Sequence, residues 1–184
     1  MRTGIPDSRG TSRSVLFAGT GTLFFVFWVV ARPSFEATAS MQEWPNVLWF
    51  SATLLSLAVA LPVFGRMVGG QSVVRLASIA GAGVGLSSLA NIFEDGLRID
   101  GFFFVFVLGT LILEVTLLAL TIVMARTFRG RDRLLAIIPA GTVAGILLFV
   151  VAGGPIMLIT WLGAAAVAMQ MSGRAVIPAA PATP

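Results

Sequence analysis

One acidic residue lies inside an apolar stretch of this chain. Glu114 stands near the middle of residues 102–125, which contain no other charged side chain. Carboxyl groups near the centre of a bilayer are rare, and they mostly face the protein interior or a water-filled cavity, because lipid does not solvate them. Glu114 is therefore the first candidate for a functional residue.

Two hypotheses describe Glu114, together with Thr110, which lies four residues earlier on the same stripe of a helix. In the first, Glu114 is protonated, hydrogen-bonds to a neighbouring helix and helps to fix a bundle. In the second, it exchanges a proton or a cation with a transported substrate. A substrate pathway normally contains more polar groups at that depth, and only Ser56 and Thr160 are candidates on other predicted spans. The packing hypothesis is therefore preferred.

A second group of polar residues follows the third apolar stretch. Asn91, Glu94 and Asp95 share one face of a helix, and Asp100 comes soon after. Carboxylates at a helix C-terminus meet the negative end of the helix dipole, so another charge should offset theirs. The preferred interpretation is a pair of exposed ion pairs with Arg98. The alternative is a divalent cation held by oxygens of Asn91, Glu94, Asp95 and Asp100, although no known calcium-loop spacing is present.

Missing residue types exclude most catalytic chemistry. The chain contains no histidine, cysteine or tyrosine, and all twelve of its basic residues are arginines. Without lysine it cannot form a Schiff base, and without histidine or cysteine it lacks the usual zinc, haem and iron–sulfur ligands and the usual nucleophile–base pairs. We therefore expect no cofactor, no bound metal and no enzymatic activity.

Six apolar stretches have roughly the length needed to cross a bilayer. They are residues 15–31, 46–65, 76–93, 102–125, 134–152 and 155–171. The last two form one uncharged run, in which Gly153, Gly154 and Pro155 predict the dividing turn. With 57% hydrophobic and 11% charged residues, the chain is predicted to be an all-α, polytopic bundle of six transmembrane helices. It forms one domain over residues 1–174, followed by a disordered tail at 175–184.

The arginines predict the orientation of this bundle. Only Arg32 and Arg98 fall on one side of the predicted membrane, and all the others fall on the opposite side. The positive-inside rule places the arginine-rich side, with both termini, in the cytoplasm. Because the arginines do not form one patch, a nucleic-acid partner is rejected despite a pI of 11.5. Arginine as the sole basic residue, with abundant alanine, glycine and valine, indicates a GC-rich bacterial genome and hence a bacterial plasma membrane.

The first stretch has an alternative interpretation as a signal peptide. A small-residue site at 37–39 follows it, as in cleaved leaders. Its apolar core is longer than that of a typical leader, and polar residues separate it from the site. An uncleaved first span is therefore preferred.

Small and aromatic residues predict how the helices pack. Gly81 and Gly85 in the third stretch, and Gly141 and Gly145 in the fifth, are spaced four apart, which lets helix backbones approach closely. Packing within the bundle is preferred for them over a dimer interface. The four tryptophans are predicted to lie in the outer half of the membrane as an interfacial belt; they are Trp28, Trp44, Trp49 and Trp161.

These observations predict a non-enzymatic membrane protein that acts as an interaction, assembly or regulatory component. Its expected partners are the lipid bilayer and a membrane protein or a second copy of the chain. The alternative is a small transporter that is coupled to protons or cations through Glu114.

Overall fold

The computed structural model describes residues 8–31 and 44–174, and the regular structure of these residues is entirely helical. The α-helices are α1 (Ser8–Ala31), α2 (Trp44–Val68), α3 (Gln71–Asn91), α4 (Phe103–Thr127), α5 (Ile137–Leu147) and α6 (Gly154–Arg174). A 3-10 helix covers Gly130–Ala136, and π-helical turns cover Ile92–Gly96 and Phe149–Gly153. The predicted all-α bundle of six helices is confirmed. The predicted tail at 175–184 and the small-residue site at 37–39 lie outside the described residues.

Five helical segments in the described part of the chain are long and apolar enough to cross a membrane. They are Gly10–Ala31, Pro45–Val68, Gln71–Gly96, Phe103–Thr127 and Phe149–Met171. Each overlaps one of the predicted stretches, and the predicted stretch at 134–152 is the one without such a helix. The chain is therefore a multi-pass membrane protein.

The helices form a closed ring in sequence order. Each helix packs against the next one along the chain, and α1 packs against α6. Gly21 near the middle of α1 faces Trp161, and Trp28 near its end faces Gly154 at the start of α6. These two helices are thus antiparallel, and the beginning of α1 lies at the same end of the bundle as the end of α6. The chain termini themselves lie outside the described residues, so the prediction that both lie on one side stays a prediction.

The α-helix at the fifth predicted span, residues 134–152, is shorter than predicted. The α-helical part of this crossing, α5, contains 11 residues and rises only about 16 Å, roughly half of the hydrocarbon core. The 3-10 helix before it adds about 14 Å, because 3-10 residues rise about 2 Å each. Pro139 explains the division, since proline has no N–H to donate and is tolerated in the first turn of an α-helix rather than in its interior.

The turn between α5 and α6 lies earlier in the chain than predicted. The chain leaves helical geometry at Leu148, five residues before Gly153. Gly153 and Gly154 are helical instead, and each allows a close contact: a β-carbon at Gly153 would meet the carbonyl oxygen of Gly145, and one at Gly154 would meet the side chain of Trp28. Pro155 lies in the first turn of α6, where its missing N–H leaves no hydrogen bond unmade.

An aromatic cluster fills the ring near its centre. The ring of Trp161 lies 5.6 Å from that of Phe17 and 6.4 Å from that of Phe64, so α1, α2 and α6 meet there. Trp161 is fully buried and Trp28 is 8% exposed. The predicted interfacial belt is wrong for these two tryptophans, because neighbouring glycines leave room for their indoles inside the bundle. Trp49 is exposed, and the side chain of Trp44 is outside the described part.

Candidate functional site

The carboxyl group of Glu114 is positioned by the packing of α4 against α3. These two helices approach most closely where Gly83 meets Gly109: a β-carbon on Gly109 would lie 2.6 Å from the carbonyl oxygen of Gly83 and 2.8 Å from the amide nitrogen of Ser87. Contacts this short between backbones require glycine on both helices. The crossing fixes the rotation of α4, so it decides which of its side chains face the bundle.

Thr110 belongs to a polar contact at this crossing. Its hydroxyl donates to the carbonyl oxygen of Phe106 at 3.0 Å and lies 3.2 Å from the hydroxyl of Ser87. The Ser87 hydroxyl also donates to the Phe106 carbonyl oxygen, at 3.0 Å. The structure therefore pairs Thr110 with Ser87 of α3 and not with Glu114. Such interhelical hydrogen bonds add a modest stabilisation within a membrane.

Glu114 lies at the edge of the buried face of α4. Leu113 and Leu117 beside it are buried, whereas Val115 and Leu118 are exposed at 58% and 51%, and Glu114 itself is half-buried. Among residues 8–31 and 44–174, no hydrogen bond or ion pair includes its carboxyl group. The predicted hydrogen bond from Glu114 to a neighbouring helix is therefore not formed within this part of the chain.

The helix that carries Glu114, α4, is the least buried of the five spanning segments. In its apolar segment 28% of the residues are buried, compared with 33% in Phe149–Met171 and 44–50% in α1, α2 and α3. The exposed side chains are large and aliphatic, and Leu111, Val115 and Leu118 surround Glu114. The carboxyl group thus borders a broad apolar surface in the middle of the most apolar of the five spanning segments.

At the end of the bundle where α3 ends, Glu94 binds the beginning of α4. Its Oε2 accepts a hydrogen bond of 2.9 Å from the backbone N–H of Phe103, the first residue of α4. The carboxylate therefore lies at the positive end of the α4 dipole and caps a backbone donor that the helix leaves unpaired. The start of α4 therefore offsets the negative charge of Glu94, a role that we had expected for Arg98. Arg98 adopts a left-handed backbone conformation (φ 55°), and no ion pair links it to Glu94 or Asp95 in the described part.

Replacing Glu94 tests this cap. We expect Glu94→Ala to destabilise the folded protein by about 1 kcal/mol, because it removes both the hydrogen bond and the favourable charge at the start of α4. Unfolding by sodium dodecyl sulfate, followed by circular dichroism in mixed micelles, measures the change. Asp100→Ala removes an exposed acid from the same connection and should have little effect. An equal loss in both variants would contradict the cap.

The cation site predicted at this end is not assembled. Asn91 turns its amide into the interface with α2, where it donates to the hydroxyl of Ser51 at 3.0 Å and to the carbonyl oxygen of Val47 at 3.4 Å. No three acidic side chains within the described ranges come close enough together to hold a metal ion. Glu94, Asp95 and Asp100 therefore do not converge with Asn91, because Glu94 is directed to α4 and Asn91 to α2.

The predicted packing glycines lie between helices of the same chain. A β-carbon at Gly81 would lie 2.7 Å from the carbonyl oxygen of Ala58, and one at Gly145 would lie 2.6 Å from Cγ of Met157. Gly141 faces the side chain of Thr160, while Gly85 has only an ordinary contact, 3.7 Å from Cβ of Ala58. Three of the four glycines thus allow close internal packing.

The contact at Gly81 has a specific cause in α2. Pro62 lacks an N–H, so the carbonyl oxygen of Ala58, four residues earlier, has no helical donor. Gly81 leaves space for this oxygen to project towards α3. The proline and the glycine are therefore complementary parts of one helix contact.

Residues that sequence analysis missed carry the closest contact of α4. Gly83, Ser87 and Gly109 form the α3–α4 crossing, yet Gly83 lies two residues from the stripe that was predicted to pack. An indication was available, because glycine is the smallest residue in the otherwise bulky sequence of α4 and Gly109 is its only occurrence there. The hydropathy pattern alone did not indicate its partner.

Known proteins add no assignment to this geometry. Comparison of the chain with protein-family models, with curated proteins and with solved structures finds no match.

Proposed function

We propose that the chain is a non-enzymatic assembly component of the membrane, which binds a transmembrane segment of another polypeptide through α4. Glu114 is the polar group that this segment recognises. The surrounding aliphatic side chains, Leu111, Val115 and Leu118, form the contact surface. The single observation that carries the proposal is the carboxyl group of Glu114, which has no partner in the described part of the chain and lies on α4, the least buried of the five spanning segments.

The energetics favour an external partner for Glu114. A polar group that is withdrawn from water without a hydrogen bond costs about 1–3 kcal/mol. Hydrogen bonds between transmembrane helices recover about 0.6 kcal/mol on average and up to about 2 kcal/mol. A neighbouring helix that carries an amide, a hydroxyl or a second carboxyl group at the same depth would therefore be bound preferentially over lipid.

The residue set supports a non-enzymatic role. The chain contains no histidine, cysteine or tyrosine, and every basic residue is arginine. Histidine, cysteine, tyrosine and lysine, which are absent, are among the side chains that most often act as nucleophiles and general bases. The carboxyl group of Glu114 therefore has no usual catalytic partner among the residue types present.

Transport through Glu114 is the second candidate. What favours it is the same unpaired carboxyl group, which is free to exchange a proton. The nearby hydroxyl groups argue against transport, because those of Ser87 and Thr110 already donate to a backbone carbonyl. Glu114→Gln separates the candidates, since glutamine keeps the hydrogen-bonding capacity that assembly needs and abolishes the ionisation that transport needs.

Site-specific photo-crosslinking tests the assembly proposal. A photoreactive phenylalanine analogue replaces Leu118 on α4 or, as a matched control, Ile79 on α3; both side chains are about half exposed (51% and 49%). In membranes of the producing cell, we expect a discrete crosslinked product from position 118 that position 79 does not give. Mass spectrometry of the product distinguishes a second copy of the chain from another protein.

The dependence on Glu114 makes the experiment specific. The product at position 118 should persist in the background of Glu114→Gln and be lost in that of Glu114→Leu. Equal crosslinking at both positions, or a product that survives Glu114→Leu, would rule out recognition through this carboxyl group.

A further inference from the structure

A groove opens between α5 and α6, towards the end of the bundle at which α4 ends. It has a volume of about 850 Å3, which lies within the range of small-molecule sites. Its walls are mostly apolar, with side chains from both helices and from the ends of α2 and α4, including Val68, Phe128, Ile138, Ile159 and Val167. Polar groups occur at Thr160, at Gln170 and at Asp132 in the 3-10 helix.

Gly163 forms part of the wall of this groove and borders open space. It lies on α6 among the lining residues, and a β-carbon there would meet no atom within 4 Å. By contrast, a β-carbon at Gly154, the first residue of α6, or at Gly153 just before it would strike a neighbouring residue. Close helix packing therefore does not explain the glycine at position 163, and its missing side chain leaves the groove open.

The length of the groove matches one leaflet of a bilayer. Along α6 it extends from Ile159 to Met171, a rise of about 18 Å at 1.5 Å per residue. Half of a typical hydrocarbon core is about 15 Å. Leu134, Ile137 and Ile159 on its rim are strongly exposed, so the groove is continuous with the surface that contacts acyl chains.

Arginines flank residues that line the groove: Arg129 follows Phe128 in the chain, and Arg133 lies between Asp132 and Leu134. Residues 126–133 contain four arginines and one acid, Asp132, and Arg129 and Arg133 are exposed. Basic residues at the cytoplasmic membrane surface attract anionic lipid headgroups, and basic pockets between transmembrane helices bind them specifically. Among the lining residues the charged one is Asp132, and the arginines next to it in the chain outnumber it.

We infer that this groove binds an anionic phospholipid of the arginine-rich leaflet. One acyl chain lies along α6 over Gly163, and the phosphate pairs with Arg129 and Arg133. The inference commits to lipid because most of the wall is apolar over the depth of a leaflet and because the arginines next to the lining residues in the chain are complementary to phosphate. It is independent of the role proposed for α4, since Glu114 is not among the lining residues.

Native mass spectrometry of the purified, delipidated protein in detergent tests the inference. Phosphatidylglycerol and phosphatidylcholine with identical acyl chains are titrated separately. We expect one site that binds phosphatidylglycerol at least about fivefold more tightly, as one arginine at a membrane surface implies. Gly163→Leu should weaken this site by about tenfold or more, whereas Gly19→Leu, a matched change into open space on α1, should not.

Charge variants test the headgroup contact separately. Arg129→Gln and Arg133→Gln should each weaken binding of phosphatidylglycerol by about fivefold, and Arg75→Gln, an exposed arginine on α3, should change it little. These exposed substitutions keep the test decisive if Gly163→Leu fails to fold. Equal affinity for both lipids, or unchanged binding in Gly163→Leu, would overturn the inference. So would a loss of phosphatidylglycerol binding in Asp132→Asn, because removing a negative charge should not weaken the binding of an anionic headgroup.

Discussion

Gly109→Ala is expected to destabilise the folded protein by about 2–4 kcal/mol, because the added methyl group has no space at the α3–α4 crossing. The new β-carbon would lie 2.5 Å from Oγ of Ser87 and 2.6 Å from the carbonyl oxygen of Gly83. The helices must separate to accept it, and this separation also weakens the hydrogen bond from Ser87 to Phe106. Unfolding by sodium dodecyl sulfate in mixed micelles measures the difference.

Gly85→Ala is the matched control for this substitution. It makes the same chemical change on α3, where the new β-carbon would point towards α2 and lie 3.7 Å from Cβ of Ala58. We expect a change of less than about 0.5 kcal/mol, with a small gain possible from the higher helix propensity of alanine. If the two variants were equally stable, the close α3–α4 contact would not exist in the folded protein.

Glu114→Leu is expected to have the opposite effect and to stabilise the isolated chain by about 1–3 kcal/mol. The substitution removes a carboxyl group that has no partner among the described residues and replaces it with a side chain that lipid solvates well. The measurement is again detergent unfolding of the purified protein, which separates this chain from any membrane partner.

Glu114→Gln provides the comparison, because it keeps an unpaired polar group at the same position and should change stability by less than about 1 kcal/mol. If Glu114→Leu lowered stability instead, the carboxyl group would be part of the internal packing. The proposal that a second polypeptide recognises it would then fail. Stabilisation together with loss of the crosslink at position 118 would instead identify Glu114 as a residue that is maintained for binding rather than for folding.

The predicted spans that proved accurate depended on local properties. Residues 15–31, 46–65, 76–93, 102–125 and 155–171 each overlap a helix that is long and apolar enough to span a membrane. Hydropathy predicts such helices well, because the hydrocarbon core requires about 20 apolar residues whatever the neighbouring helices are. The fifth span was less accurate because its apolar run also contains Pro139, which places the start of α5 near Ile137.

The predictions that failed depended on contacts between segments. Glu94 was expected to pair with Arg98, four residues later, but it binds the N–H of Phe103. The connection turns through Arg98 and Gly101, both with positive φ, and this turn brings the start of α4 to the end of α3. Trp28 and Trp161 were assigned to the interface from their position along the span, although their neighbours across the ring bury them.

The amino-acid sequence by itself determined that this is a multi-pass helical membrane protein with one carboxyl group deep within a span. Only the tertiary structure decided which face of α4 packs on α3, which face is left uncovered, and that Glu114 lies between them. The physical reason is that α4 is apolar on all sides, so its hydropathy carries no information about its rotation. That rotation is set by the meeting of Gly83 with Gly109, a contact between two helices that neither helix specifies alone.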